Sequence, residues 1–308
     1  MAKTKDIKRR IKSITSTKRI TRAMEMVEAS KMRKAIEAAL ASRTYANLSW
    51  ETLMNLSRSS DQKLSHPLLD MRPDVKRQAL ILITANRGLC GAFNTSVIAE
   101  ARKVIKGEES ITDLIVVGRK GESMASTCAV AAQFIKDEKI DLTTVGPVAR
   151  IIIDGYREGT YDRVLIAYTD FINAAKQTPR VKQLLPLVSE ASNGVLGVLG
   201  ADDKVGVSQD FVAAKAKEHL GEATEYVFEP APQAVLDELV PRLVTVQLYQ
   251  ALLESNASEH SARMAAMHQA TKAASDLVDE LKLFYNKARQ AAITAEIAEI
   301  TAGVAALE

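Results

Sequence analysis

The chain has few of the residues that build disulfide-rich, metal-binding or compact β-rich proteins. Its 308 residues include two cysteines and four histidines, and aromatic residues make up only 5%. Cys90 and Cys128 are too few for a disulfide framework, and neither lies in a CxxC or His-rich stretch that would suggest a metal site. We interpret both as small core residues. The shortage of aromatic residues favours long helices over a compact β protein.

Long apolar runs are also missing. No run approaches the roughly 18–20 residues needed to cross a bilayer. The first ten residues, MAKTKDIKRR, lack the apolar core of a secretory signal. We therefore expect a cytoplasmic protein with no direct bilayer insertion.

Glycine and proline are nearly absent from both ends of the chain. All 8 prolines and 13 of the 14 glycines lie between Pro67 and Pro241. Residues 1–66 and 242–302 contain neither, so each segment can form nearly continuous helix. The second segment alone would reach ~90 Å, whereas a globular centre of this size has an expected radius of gyration of ~16 Å. The sequence thus predicts long helices that extend from a central domain.

The C-terminal segment carries a heptad pattern that predicts a coiled coil. The predicted seam has an unbroken spacing of four and three and consists of Leu277, Leu281, Phe284, Ala288, Ala291, Ala295, Ala298, Ala302 and Ala305. The N-terminal segment supplies a matching series of Ile7, Ile11, Ile14, Ile20, Met24 and Val27. A second C-terminal stripe lies on a different face, at Ile293, Ile297, Ile300, Val304 and Leu307. One helix partner cannot cover both stripes.

Positive charge is concentrated at the N-terminus. Through residue 34 there are 12 basic and 3 acidic residues, a local charge of +9 that leaves −6 for the remainder. A solvated face, a nucleic-acid grip or a surface that meets acidic protein loops would each explain this arm. Because no aromatic residue precedes Tyr45, the arm lacks a stacking platform, and we do not expect nucleic-acid binding.

The central segment alternates apolar runs with helix-compatible runs. Strands are predicted at residues 78–85, 112–118, 130–135 and 162–171. Helices are predicted at 94–106, after Arg119 and around Val145 to Glu158. Such βαβ alternation predicts a mostly parallel sheet in a Rossmann-like domain.

The predicted fold class is therefore α/β, with a long antiparallel coiled coil of N- and C-terminal helices plus a central Rossmann-like α/β domain. The predicted division is residues 1–66 for the N-terminal helix, 67–232 for the central domain and 233–308 for the C-terminal helix.

No catalytic, cofactor or metal site can be built from known spacings. The loop NRGLCGAFN lacks the G-x-G-x-x-G pattern, and we predict that Gly88 and Gly91 make a tight turn and let a helix approach the sheet. His260 and His268 are eight residues apart, unlike a helical metal pair. The alternatives that stay open are a coiled-coil adaptor with an α/β ligand domain and a Rossmann-type enzyme.

Four segments carry a specific resemblance to a known family. They are residues 7–35, 83–94, 225–232 with 241–267, and 284–307. In these segments the chain resembles the γ subunit of F-type ATP synthases, of bacterial type. The resemblance implies a non-catalytic central shaft that couples ion-driven rotation of the membrane c-ring to conformational changes in the catalytic β subunits. The implied partners are the α and β subunits of the α3β3 head, the ε subunit and the c-ring.

The resemblance also implies roles for particular residues. Contacts to the β subunit are implied for Met24, Arg9, Arg10, Arg22, Arg87, Arg289, Gln290 and Thr294. The second stripe would face an apolar sleeve in the head, and a foot that touches the c-ring would use Tyr226, Phe228 and Glu229. The family commonly has an acidic residue where this chain has Asn86, and the segment 189–224 is longer than is typical. The implied location is peripheral, on the cytoplasmic side of a bacterial inner membrane.

Overall fold

The chain has a long helix at each end of its sequence and a five-stranded sheet in the residues between them. The computed structural model describes residues 2–59, 66–107, 110–137, 140–187, 229 and 231–305. Helix α1 spans Ala2–Ser59, and the last helix, α4, spans Pro232–Ala305. Proline suits the first position of α4 because the amide that it lacks has no partner within the helix there. Helix α1 lies within its predicted segment without breakers, whereas α4 begins ten residues before residue 242 and includes Pro241.

Five strands, which lie between these helices in the sequence, form one sheet. They are β1 (Arg77–Ile83), β2 (Ile111–Val117), β3 (Ala129–Phe134), β4 (Arg163–Phe171) and β5 (Gln177–Leu185). Their order is β3-β2-β1-β4-β5, and only β5 runs antiparallel to its neighbour. The four predicted strands are confirmed to within two residues. Strand β5, which contains Pro179 and alternating charged residues, was not predicted from the sequence.

Shorter helices connect the strands. They are α2 (Phe93–Lys106), a 3₁₀ helix (Arg119–Met124) and α3 (Leu142–Arg157). Helix α3 begins three residues before its predicted start because the Asp141 carboxylate accepts the amides of Thr143 and Thr144 at 3.0 and 3.1 Å. The Thr143 hydroxyl and the Thr144 amide hold the pKa of Asp141 below its usual value.

Both faces of the sheet are buried, which explains why its strands are continuous apolar runs. The face toward α3 and the first half of α4 is lined by Ala79, Ile81, Ile83, Ile115, Val117, Val164 and Ile166. The opposite face packs on α2 and is lined by Leu80, Leu82, Leu114, Val116, Leu165 and Ala167. Helix α4 contributes apolar residues at spacings of three to five: Leu236, Val240, Leu243, Leu248 and Leu252. The start of α4 is thus a core element of the α/β domain.

The chain divides into two compact units, one of residues 1–30 with 263–308 and one of residues 31–262. In the first unit, α1 and α4 form an antiparallel pair. As the residue number rises along α1, the number of its partner on α4 falls: Lys18 contacts Ser275, Thr21 contacts Thr271, Glu25 contacts His268 and Glu28 contacts Arg263. The predicted antiparallel coiled coil is confirmed.

The seam of this coiled coil differs from the predicted one. On α4 from residue 263 onward, the buried and half-buried positions are Arg263, Met264, Ala266, Met267, Ala270, Thr271, Ala274, Ser275, Val278, Leu281, Tyr285, Ala288 and Ala292. Only Leu281 and Ala288 were predicted. Leu277 and Phe284 are 47% and 52% exposed, and the predicted seam residues Ala291, Ala295, Ala298 and Ala302 are exposed as well. On α1 the predictions for Ile20 and Val27 are wrong, because both are more than half exposed. The pattern of apolar residues failed here because the middle of the seam is polar.

The most buried polar pair of the seam is Glu28 with Arg263. The Arg263 Nη1 atom lies 3.4 Å from Glu28 Oε2, and both side chains are almost fully buried. A buried pair of this kind need not stabilise the fold more than apolar residues would, but it disfavours shifted registers that leave either charge unpaired.

We predict that Glu28→Ala or Arg263→Ala alone lowers the free energy of unfolding by about 3–5 kcal/mol, because each leaves a buried charge without its main partner. The double variant Glu28→Leu/Arg263→Met should recover most of this loss. Denaturant unfolding followed by circular dichroism measures both. Asp279→Ala, which breaks an exposed pair with Lys282, is the matched control and should change little. Single variants as stable as the unchanged protein would contradict the prediction.

Stability should also depend on pH through His66. This side chain is buried, and its Nδ1 accepts the amide of Leu68 at 3.1 Å, which requires a neutral ring. Burial, followed by the charge of Arg157, lowers the pKa of His66. Protonation is therefore harder in the folded chain than in the unfolded chain, where the pKa is about 6.5.

We predict that the contribution of His66 to stability is complete above about pH 6.5 and is lost as the pH falls through the lowered folded pKa. Urea unfolding at pH 7.5, 6.5 and 5.5 measures this loss. His66→Asn is the matched variant, because its amide oxygen can accept the same bond without titrating, and it should lose less stability over this range. Parallel pH profiles for the two proteins would refute a role for His66.

Candidate partner-binding surfaces

The C-terminal part of α4 presents polar groups at the positions that the sequence analysis selected. Arg289 and Gln290 are exposed, and the exposed Thr294 donates its hydroxyl to the Gln290 carbonyl at 3.0 Å. Arg289 offers a planar fork of donors that matches carboxylates, and the Gln290 amide can donate and accept. This face can therefore bind polar groups on a partner.

The apolar stripe beside these groups is open to solvent. Ile293, Ile297 and Ile300 are 49%, 57% and 67% exposed. The side chain of Val304 and the whole of Leu307 lie outside the described residues. Large apolar side chains that form a continuous exposed row are typical of surfaces that meet another protein.

Helix α1 presents basic groups and a second set of exposed apolar groups. Arg9, Arg10 and Arg22 are exposed, while Met24 is half-buried. Arg9 contacts Asp6 at 3.1 Å in an exposed pair that contributes little to stability. Within the first thirty residues, the exposed large apolar side chains are Ile20, Met26 and Val27. This apolar surface was not predicted, because the spacing of Ile20 and Val27 also fits a coiled-coil seam and both residues had been assigned to it.

The loop between β1 and α2 is held from within and exposes two side chains. Asn94 accepts the Ala85 amide at 2.9 Å and donates to the Cys90 sulfur at 3.1 Å. Cys90 is buried, as predicted, while Arg87 and Leu89 are exposed. Leu89 has a φ of 62°, a left-handed conformation that is rare for a leucine and is often found at functional positions.

Gly88 and Gly91 were predicted to make a tight turn and to let a helix approach the sheet, and only the tight turn is confirmed. Gly91 has a φ of +56°, which suits a tight turn, but a Cβ atom at Gly88 or Gly91 would meet nothing within 4 Å. The close approach lies elsewhere. A Cβ at Gly118, after β2, would lie 2.2 Å from the Thr84 carbonyl oxygen.

The crevice where doubly wound sheets bind ligands is filled by the chain itself. That crevice lies at the carboxyl ends of the strands where the order reverses, here between β1 and β4. Residues 254–262 of α4 pack on these strand ends. Ser258 donates to the Thr169 carbonyl at the end of β4, and Ala262 packs on the cluster of Ala85, Cys90 and Phe93 after β1. This arrangement disfavours a nucleotide site of the Rossmann type.

Most of the predicted foot lies outside the described residues. Glu229 is described and exposed, whereas Tyr226 and Phe228 lie outside the described residues, as does the segment 189–224. In the described part of the chain, no helix has the length and apolar character that a membrane span requires. Within the same ranges, no three His, Cys, Asp or Glu side chains come together as metal ligands would.

Comparisons with known proteins identify the family of this chain. The ATP synthase family matches residues 3–307. The ATP synthase gamma chain of Pelotomaculum thermopropionicum is 42% identical over 313 residues and covers 100% of both chains. That of Heliobacterium modesticaldum is 40% identical over 98% of both chains.

Solved structures show the same fold. The central stalk and c-ring structure of the Tetrahymena thermophila mitochondrial ATP synthase contains a chain 25% identical to this one, with a TM-score of 0.58, covering 82% of this chain and 99% of that one. A chain of the Euglena gracilis mitochondrial ATP synthase is 21% identical, with a TM-score of 0.66, and covers 99% of this chain and 95% of that one. The chain belongs to the γ subunit family of F-type ATP synthases and is a central-stalk subunit of that complex.

Proposed function

We propose that this chain is the rotating shaft that couples ion-driven rotation of the membrane c-ring to conformational changes in the catalytic β subunits, and that it catalyses no reaction itself. One observation carries the proposal: α4 exposes a row of isoleucines on a face that its coiled-coil partner leaves open. A helix of a protein that acts alone would bury such a row. Here the row calls for a partner that surrounds the end of the helix.

The partner proposed for this row is an apolar sleeve formed by the α and β subunits of an α3β3 head. Hydrophobic contact is non-directional, so Ile293, Ile297 and Ile300, with Val304 and Leu307 beyond them, can turn inside a sleeve without breaking bonds of fixed geometry. A rotating shaft needs a bearing of this kind, in which contact is maintained while no single orientation is strongly favoured.

The basic face of α1 is proposed to meet acidic loops of the β subunits. Arg9, Arg10 and Arg22 are exposed, so their charge acts at a distance and tolerates a change of angle. Met24 lies beside them, and its flexible thioether suits a surface that must repack as it slides. Arg87, on the internally held loop after β1, is proposed as a further basic contact to the β subunit.

Arg289, Gln290 and Thr294 are proposed to make the directional contacts that stop the shaft at defined angles. Arg289 and Gln290 are one residue apart and exposed, so a single β-subunit loop can reach both. The Thr294 hydroxyl bonds to the Gln290 carbonyl, and it therefore supports this turn of α4 from within. Hydrogen bonds to charged groups contribute about 1.5–3 kcal/mol, enough to define a stopping angle without locking the shaft.

The predicted foot is proposed to bind the c-ring and to rotate with it. Tyr226, Phe228 and Glu229 would form the foot that contacts polar loops of the ring, and the ε subunit would bind to the same rotor. The chain would thus lie at the cytoplasmic side of a bacterial inner membrane as a peripheral subunit. We propose functional parts that follow the ranges 1–66, 67–232 and 233–308.

The proposal is tested by co-expressing the chain with the α and β subunits of its own organism. We expect the three to purify as one complex whose ATP hydrolysis depends on the chain, while the isolated chain hydrolyses nothing. A chain that neither co-purifies with α and β nor changes their hydrolysis would overturn the proposal and favour a coiled-coil adaptor. Hydrolysis by the isolated chain would instead favour an enzyme.

The contact role of Arg289 predicts a specific loss of turnover. Arg289→Ala should lower ATP hydrolysis by the complex about tenfold, because a charge-assisted hydrogen bond worth at least ~1.5 kcal/mol is removed. Lys287→Ala is the matched control, since it removes one exposed positive charge from the same helix two residues away. Both variants should assemble normally. Equal turnover in the two variants would rule out a special role for Arg289.

A further inference from the structure

Helix α4 buries an unusual number of polar side chains where it crosses the sheet. Between residues 254 and 262, seven of nine residues are polar and at most 9% exposed: Glu254, Ser255, Asn256, Ser258, Glu259, His260 and Ser261. Burying polar groups is costly unless they form hydrogen bonds, and an apolar helix face would cover the sheet at lower cost. The partners of these groups therefore indicate what they do.

One set of partners lies on the β4 and β5 side of the sheet. Ser258 donates to the Thr169 carbonyl at 3.2 Å. Ser261 donates to the Ala174 carbonyl at 2.7 Å and accepts from the Gln177 side chain at 3.2 Å. These bonds hold one face of α4 to the end of β4 and the turn that leads into β5.

A second set of partners lies on the β3 side. Glu259 forms a buried ion pair with Lys136, just after β3. The backbone of Lys136 is held in turn by Asn86, which donates to the Lys136 carbonyl and accepts the Lys136 amide at 3.3 Å. A carboxylate at position 86 could accept but could not donate, so the amide of Asn86 suits this two-way contact. Asn86 thereby links the loop after β1 to α4.

We propose that Asn86, Lys136, Ser258, Glu259 and Ser261 form a polar clamp that fixes the rotation of α4 about its own axis on the sheet. Apolar packing alone fixes the rotation of the helix less sharply than hydrogen bonds do, because hydrophobic contact has no preferred direction. Hydrogen bonds weaken steeply when their angles change. The clamp holds α4 at two places, one toward the β5 edge of the sheet and one toward the β3 edge. This inference rests on the proposed function: a shaft that carries torque must not slip where its drive helix meets the α/β domain.

The test uses the complete ATP synthase in membrane vesicles. Lys136→Met, Glu259→Gln and the double variant Ser258→Ala/Ser261→Ala each weaken the clamp, and Ser30→Ala is the matched control, an exposed serine on a helix. ATP hydrolysis is measured together with ion uptake, by a pH-sensitive dye for protons and by radioactive sodium for Na⁺. We expect the ions transported per ATP to fall at least about twofold in the clamp variants, because directional bonds to buried groups are lost, and to stay unchanged in the control.

Two further measurements separate slipping from unfolding. The serine double variant keeps the apolar packing of α4, so we expect it to remain folded and to show a cooperative thermal transition at a somewhat lower temperature than the unchanged chain. The exchange Lys136→Glu/Glu259→Lys restores opposite charges and should recover part of the transport lost in the single variants. Normal ion transport per ATP in a folded serine double variant would overturn the clamp. Failure of the unchanged chain to assemble with α and β would instead overturn the proposed function.

Discussion

The structure depends on the burial of one helix against two different partners. The first part of α4 packs apolar residues such as Leu243 and Leu252 on the sheet, and the last part pairs with α1 in an antiparallel coiled coil. Each partner buries a different face of α4, and a helix of 3.6 residues per turn must supply both faces in succession. The sequence of α4 changes character accordingly, from apolar to polar at 254–262 and then to a mixed seam.

Buried polar groups recur where α4 changes partner, and they have a common physical effect. Apolar contacts stabilise many closely related arrangements about equally, whereas a buried charge is tolerated only in the arrangement that pairs it. Glu259 with Lys136 specifies how α4 lies on the sheet, and Arg263 with Glu28 specifies the register of the coiled coil. Specificity of arrangement, more than stability, explains why the middle of this helix is polar.

The same polarity determined how much could be predicted from the sequence. Four strands were predicted because both sheet faces bury continuous apolar runs, and the long helices because glycine and proline are missing there. Strand β5 was missed, since an edge strand tolerates Pro179 and charged residues that a central strand would not. The seam was misplaced at Ile20, Val27, Leu277 and Phe284, because a search for apolar spacing cannot detect a seam built from Lys18, Thr21, Glu25 and Glu28. Ile293, Ile297 and Ile300 of the predicted second stripe are exposed, but a single chain does not contain the partner that would give them a role.

In this chain α4 occupies the carboxyl edge of the sheet, where Rossmann-like folds usually bind a nucleotide. Parallel strands bring loops and free backbone groups to one edge, and a ligand usually satisfies them. In this chain the carbonyls of Thr169 and Ala174 are satisfied by serines of α4, and the loop after β1 is held to Lys136 by Asn86. A helix has replaced the ligand as the group that completes the edge. At this edge the polar groups that could bind a ligand in another protein of this fold instead hold α4 in place.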